Sequence, residues 1–248
     1  MNAIKKFTQP IILPSSSIVE EKIFDFYRRT VFSPEISGNC NIKCCTVTGD
    51  SGAKSESHTH PGDEIVFTVA GENINSAVEK EYPLRQYQAI AIPPGTEHTT
   101  RVTGNGIWKG VSFYCDQCPL IQKSKPRKLS TVLTKTLDRA ITTAHKRMYK
   151  QILLSPLLQE THFMELFALI CTEPLAEVEF SHKGETVYYL LTGSCKISWW
   201  EKEVLLEPDM AVVMPAGFIH RFSMEDEDGC TILAGSCSSC SLSNFQAE

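Results

Sequence analysis

Two imidazoles and a carboxylate fall within seven residues, His58-Thr59-His60-Pro61-Gly62-Asp63-Glu64. On extended backbone alternate side chains share a face, so His58, His60 and Glu64 can converge while Thr59 and Asp63 point away. A mixed nitrogen and oxygen set suits a divalent transition metal, whereas calcium and magnesium prefer all-oxygen shells. A polar, solvated strand end with two histidines would read the same on these seven residues alone. A further imidazole, His98, follows the turn Pro93-x-Gly95, whose residues favour a tight reversal.

The elements that must position these groups come in duplicate. An offset of 122 carries Ser33-Pro34 onto Ser155-Pro156, His60 onto His182, Gly62 onto Gly184 and Gly71 onto Gly193. It also carries Pro93-x-Gly95-x-x-His98 onto Pro215-x-Gly217-x-x-His220, and Cys115-x-x-Cys118 onto Cys237-x-x-Cys240, with no gap from residue 33 to residue 118. The chain is a tandem duplication. Each copy is a string of short β-branched or aromatic runs bounded by Gly, Pro or Asn, such as EIVFTVAGE and QAIAIPP. Such strings predict an all-β sandwich or barrel in each copy. Between them lies a basic segment in which Leu133, Leu137, Ile141 and Ala144 have helical spacing. It predicts a linker followed by a helix.

With the spacing laid out, Gly52-x5-His58-x-His60-x3-Glu64-x6-Gly71 resembles the first signature of the cupin superfamily at every fixed position. Pro93-x-Gly95-x-x-His98 resembles the second, departing at Tyr87, where the signature has glycine, and at Val102, where it has asparagine. With two copies the chain looks like a bicupin. The resemblance implies two tandem jelly-roll (double-stranded β-helix) barrels joined by a partly helical linker: 1–122 as the metal-binding N-terminal barrel, 123–153 as linker and helix, and 154–248 as a C-terminal barrel with a degenerate site. It implies that His58, His60, Glu64 and His98 line the first barrel and hold one divalent transition metal, Fe(II) first, with Mn, Ni or Zn as alternatives. Three histidines and one carboxylate leave coordination positions open for a substrate or dioxygen. Glu64 is then a ligand, or a catalytic base on bound substrate.

In the second copy the same offset turns His58 into Phe180 and Glu64 into Thr186, leaving His182 and His220. Two imidazoles and a threonine make a poor site for any divalent metal. Glu185 is one residue out of register, and only a bulge could turn it inward. Phe180, Tyr188, Trp199 and Phe222 are expected to fill this barrel or bind something apolar. The CxxC pairs lie outside both signatures and leave three readings open: a shared Zn(S)4 staple, two redox dithiols, or inert thiols at strand ends. Separation of the two pairs is the expectation. Cys40, Cys44, Cys45, Cys171, Cys195 and Cys230 lie in or beside strand runs and read as core residues.

A net charge of −5 gives no overall attraction to nucleic acid or to anionic membranes. No apolar run approaches the roughly 20 residues that span a bilayer, and the N-terminal residues are charged and broken by Pro10 and Pro14. Ten cysteines without a secretory signal point to reduced thiols or metal ligands. The expectation is a cytoplasmic monomer or homodimer with a small-molecule substrate. An Fe(II)-dependent oxygenase of the dioxygenase type is the first reading of function. A non-redox metal-dependent isomerase or lyase is the second, and a non-catalytic small-molecule-binding cupin the third.

Overall fold

A computed structural model describes residues 9–37, 42–115, 132–145, 147–155, 164–182, 184–225 and 227–237. The strands form four antiparallel sheets, one of seven strands and one of three in the N-terminal half, and one of seven and one of four in the C-terminal half. In each half the larger and smaller sheets face each other as a jelly-roll barrel. Among the described residues, no helix is long and apolar enough to cross a membrane.

Period-two alternation divides the core. On Glu64–Ala70, Ile65 and Phe67 face outward into a cluster shared with Val187, Tyr189 and Leu191 of the second half. Val66, between them, faces the first barrel's interior with Ile90, Ile92 and Trp108. The two seven-stranded sheets therefore pack face to face through one set of alternating residues and enclose their own barrels with the other. At this contact the phenyl of Phe113 lies where a Cβ on Gly235 would approach it to 2.4 Å. Since 113 + 122 = 235, duplicated positions meet across the pseudo-two-fold axis, one bulky and one without a side chain.

The duplication runs further toward the N-terminus than identity alone reveals. Strand Ile11–Pro14 and the 3-10 turn Ser15–Ser17 reappear 122 residues later as strand Leu133–Thr136 and the turn Leu137–Arg139. Ile11–Pro14 pairs with Met210–Met214 in the C-terminal sheet, and Leu133–Thr136 pairs with Gln88–Ile92 in the N-terminal one. Each copy thus lends its first strand to the other barrel.

The helix expected over Leu133, Leu137, Ile141 and Ala144 is corrected here. These residues form strand Leu133–Thr136, the 3-10 turn Leu137–Arg139 and strand Ile141–His145. The helical part of the linker among the described residues is that single turn. β-Branched Thr134, Thr136, Ile141, Thr142 and Thr143 favour the pleat, and open sheet edges on both barrels supply ladder partners that an isolated helix would lack.

A candidate metal centre in the N-terminal barrel

Three different pieces of backbone deliver the four side chains. Glu64 opens the strand Glu64–Ala70, and His98 opens the strand His98–Val102 on the opposing sheet. His58 lies at an isolated bridge to His98, with reciprocal backbone bonds of 3.1 and 3.0 Å. His60 is in irregular chain, so the regular strand expected across 58–64 begins only at Glu64. The irregular loop is pinned instead: the Gly95 N–H donates to the His60 carbonyl at 2.8 Å, tying the Pro93–Gly95 turn to the first signature. Gly95 has φ +70 and Gly52 has φ +81, the left-handed region open to glycine at little cost. Tyr87, where the second signature departs from glycine, also has φ 63. The turn keeps the glycine-type conformation although its residue has changed.

The four ligand atoms lie within 4.8 Å of one another, and this is the one such group of three or more His, Cys, Asp or Glu among the described residues. The His98 Nδ1–H donates to the Thr96 carbonyl, and the His58 Nδ1–H to the Glu56 carbonyl, each at 2.9 Å. Those bonds fix ring orientation and leave each Nε2 as an electron-pair donor. His98 Nε2 and Glu64 Oε2 are 2.7 Å apart, and Glu64 Oε2 is 3.4 Å from His60 Nε2. Among the described residues, neither His98 Nε2 nor Glu64 Oε2 has a hydrogen-bond partner of good geometry, although both are buried. Ligands about 2.1 Å from one cation stand roughly 3 Å apart when adjacent and 4 Å when opposite, so the set fits a transition metal.

The electrostatics agree. Burial alone would raise the Glu64 carboxyl, but its contact with His98 and the charges of His60 and His98 outweigh burial and hold it below the usual carboxylate range. Burial pulls His98 down, and Glu64 overrides it and raises the imidazole. The pair attracts one positive charge, which a metal can supply in place of a proton. Tyr114, whose ring is tilted against His60 with centroids 4.9 Å apart, is pushed well above a normal phenol by burial and then by the Glu64 charge, so it keeps its proton. Tyr114 and Arg28 are the residues of this region that the sequence reading missed. Arg28 lies upstream of both signatures, and its only signal is its alignment with Lys150 at the 122 offset. A cavity of about 230 Å³ opens beside the cluster, walled by Phe24, Phe26, Val66 and Trp108 and reached by Arg28 and Tyr114.

The second barrel is closed at the equivalent place. The Tyr188 hydroxyl sits between the imidazoles, in contact with His182 Nε2 and 2.9 Å from His220 Nε2. Phe180 and Phe222 pack around them, and Phe180, Tyr188, Trp199 and Phe222 are all buried, as expected from the sequence. Tyr188 corresponds to Val66, so a ring fills the space that the first barrel leaves open. Glu185 is not part of any ligand cluster among the described residues. Cys44, Cys45, Cys171, Cys195 and Cys230 are buried core thiols. The CxxC readings fall on Cys118 and Cys240, which lie outside the described residues.

A cupin-domain family model matches residues 46–114, which contain the four clustered residues. The structure is similar to protein Ylba from E. coli, with 12% identity, TM-score 0.78 and coverage of 98% of this chain and 97% of that one. It is similar to a putative glyoxylate-induced protein from Pseudomonas aeruginosa, with 14% identity, TM-score 0.81 and coverage of 99% and 95%. It is also similar to Bacillus subtilis oxalate decarboxylase, in a structure concerned with that enzyme's Mn(II) centres, with 11% identity, TM-score 0.72 and coverage of 92% and 77%. The fold is that of a two-barrel cupin. At these identities the likeness establishes architecture rather than reaction. No curated protein matches the sequence.

Proposed function

We propose that the chain is a metal-dependent enzyme acting on a small organic molecule, with one divalent transition metal held by His58, His60, Glu64 and His98. The observation that carries this reading is the group of four converging ligand atoms beside a cavity. When bound, the metal would supply a Lewis-acid or redox centre with positions left for substrate. The chain's own residues do the rest. Carbonyls of Glu56 and Thr96 hold two imidazoles in a fixed tautomer. Trp108 and Phe26 exclude water from one side of the cavity. Tyr114 keeps its proton beside the Glu64 carboxylate, which serves as a ligand or accepts a proton from substrate. The unit 1–122 is assigned the metal, and 154–248 serves as its packed partner.

Oxygen chemistry on Fe(II) is the first reading, because three imidazoles and one carboxylate suit a redox-capable ion with exchangeable positions. The second is a non-redox lyase or isomerase using Mn(II), favoured by the architecture shared with oxalate decarboxylase. Metal analysis of protein purified without added metal, followed by oxygen uptake with candidate substrates, tests both. Turnover with oxygen consumption selects the first and turnover without it the second. Failure to bind any divalent metal stoichiometrically overturns the proposal.

A further inference from the structure

The two barrels carry a cation at the same place and satisfy it differently. Arg28 on strand Phe26–Phe32 corresponds to Lys150 on Met148–Leu154, since 28 + 122 = 150. Their registers agree: Arg28 is opposite Val47, and Lys150 is opposite Leu169, again 122 apart. In the filled barrel, Lys150 is neutralised from within. Its Nζ lies 3.1 Å from Glu165 Oε1, with both side chains buried, and 4.0 Å above the Phe167 ring. In the open barrel the position of Glu165 is occupied by Lys43, because 43 + 122 = 165, and its Nζ lies 5.6 Å from the Tyr114 ring. An internal carboxylate has been replaced by a second cation.

Among the described residues, Arg28 is therefore paired with no interior carboxylate. Its Nη2 donates outward to Glu21 Oε2 at 3.1 Å, a carboxylate more than half exposed. Its Nε is buried, has no hydrogen-bond partner among the described residues, and belongs to a side chain lining the cavity beside His58, His60 and Glu64. A buried guanidinium N–H with no acceptor is costly, and a carboxylate is the acceptor whose geometry fits it. The cavity, about 230 Å³, lies below the range usual for drug-sized ligands.

We propose that Arg28 anchors the carboxylate of a small organic acid in this cavity, in the place that Glu165 fills for Lys150 in the other barrel. The inference rests on the reading of the cavity as a substrate site and names its substrate class: small mono- or dicarboxylates rather than neutral or cationic molecules. Phe24, whose ring lies 5.5 Å from His58, and Phe26 leave apolar room for a short carbon skeleton only.

Calorimetric titration of the full chain, metal-free and Mn(II)-loaded, with glyoxylate and oxalate as probes and glycolamide and oxamide as neutral controls, tests it. Carboxylates should bind the loaded protein and the amides should not. Arg28→Gln should weaken carboxylate binding about 10- to 100-fold, the range for a lost charge-assisted hydrogen bond, with metal content unchanged. Arg28→Lys should restore part of the loss, and Glu21→Gln should leave binding intact or tighten it. Arg28-dependent binding to the metal-free protein would uphold the anchor even if the metal assignment failed. Equal binding by Arg28→Gln and wild type, equal binding of amides and acids, or no carboxylate binding to either form would overturn it, whatever the metal content. Should Arg28→Gln not fold, the Arg28→Lys and amide arms decide.

Discussion

One architecture occurs twice in this chain, once open and once filled. Among the described residues, 10 buried hydrophobic residues form the cluster around the interior of the N-terminal barrel, against 20 in the C-terminal barrel. Two polar side chains give way to phenyl rings in the second copy, His58 to Phe180 and Thr100 to Phe222, and Val66 gives way to the larger Tyr188. Burying two imidazoles unpaired would be costly, so the Tyr188 hydroxyl takes the place between them and meets the Nε2 atom of each. Packing holds the second barrel together. In the first, packing is given up on one side to keep a cavity and four convergent ligand atoms, a concession common at functional sites.

The sharpest break of this contrast is in metal content. His60→Ala should remove essentially all bound metal, because it deletes one of the four proposed ligands, while His182→Ala should leave the stoichiometry at one per chain. Metal analysis of both variants checks this, and a second equivalent lost only in the double variant would show that the barrels are alike.

Separating the barrels should come next in size. A fragment of residues 1–125 lacks strand Leu133–Thr136, which edges its own sheet, and exposes Ile65, Phe67, Val111 and Phe113. The expected product is insoluble or dimeric by size-exclusion chromatography. A monomeric, cooperatively folding fragment would contradict the exchanged-strand packing.

How much of this was legible depends on whether identity or pattern survived duplication. The clustering of His58, His60, Glu64 and His98 could be read because few residue types suit the proposed metal chemistry at those positions. The filled second barrel followed from Phe180 and Thr186 standing where ligands should be. The exchanged strands could not be read, since IILP and LTKT share no residue at the 122 offset. Four apolar positions three and four apart then looked helical, and only a neighbouring sheet edge decides otherwise. Arg28 was equally silent, because a lone arginine on a strand is ordinarily solvated and its meaning comes from Lys150 and Glu165.

The contrast also has a pH signature. Burial holds His220 down at about 4, from an ordinary 6.5, and holds His182 well below the ordinary value by burial and then by the charges of His220 and Lys150. Above pH 6.5 both rings are neutral folded or unfolded, and neither contributes a slope. As pH falls from 6.5 toward 4 the unfolded chain takes up protons that the folded chain refuses, so stability declines across that window, and His220's share of the decline ends below its folded value. For His220 alone the loss is about 3 kcal/mol. Urea unfolding between pH 7 and 4 should show this decline in wild type and a smaller one in His182→Phe/His220→Phe. Identical slopes would mean the pair is not buried neutral.

The smallest expected effect isolates the hydroxyl that joins the pair. Tyr188→Phe keeps the ring, its packing against Phe222 at 5.0 Å and its position between the sheets, and removes only one oxygen. His182 Nε2 and His220 Nε2 then face each other in a buried space with no partner between them. The cost should be about 1–3 kcal/mol, that of leaving buried polar groups unsatisfied. A cavity effect adds little, because the volume lost is one hydroxyl. Metal content should stay at one, since the first barrel is untouched. Two results would count against this account: unchanged stability in denaturant at pH 7, or a second metal equivalent recruited by the freed imidazoles. The latter would mean that Tyr188, rather than the missing carboxylate and His58 equivalent, is what keeps the second barrel empty of metal.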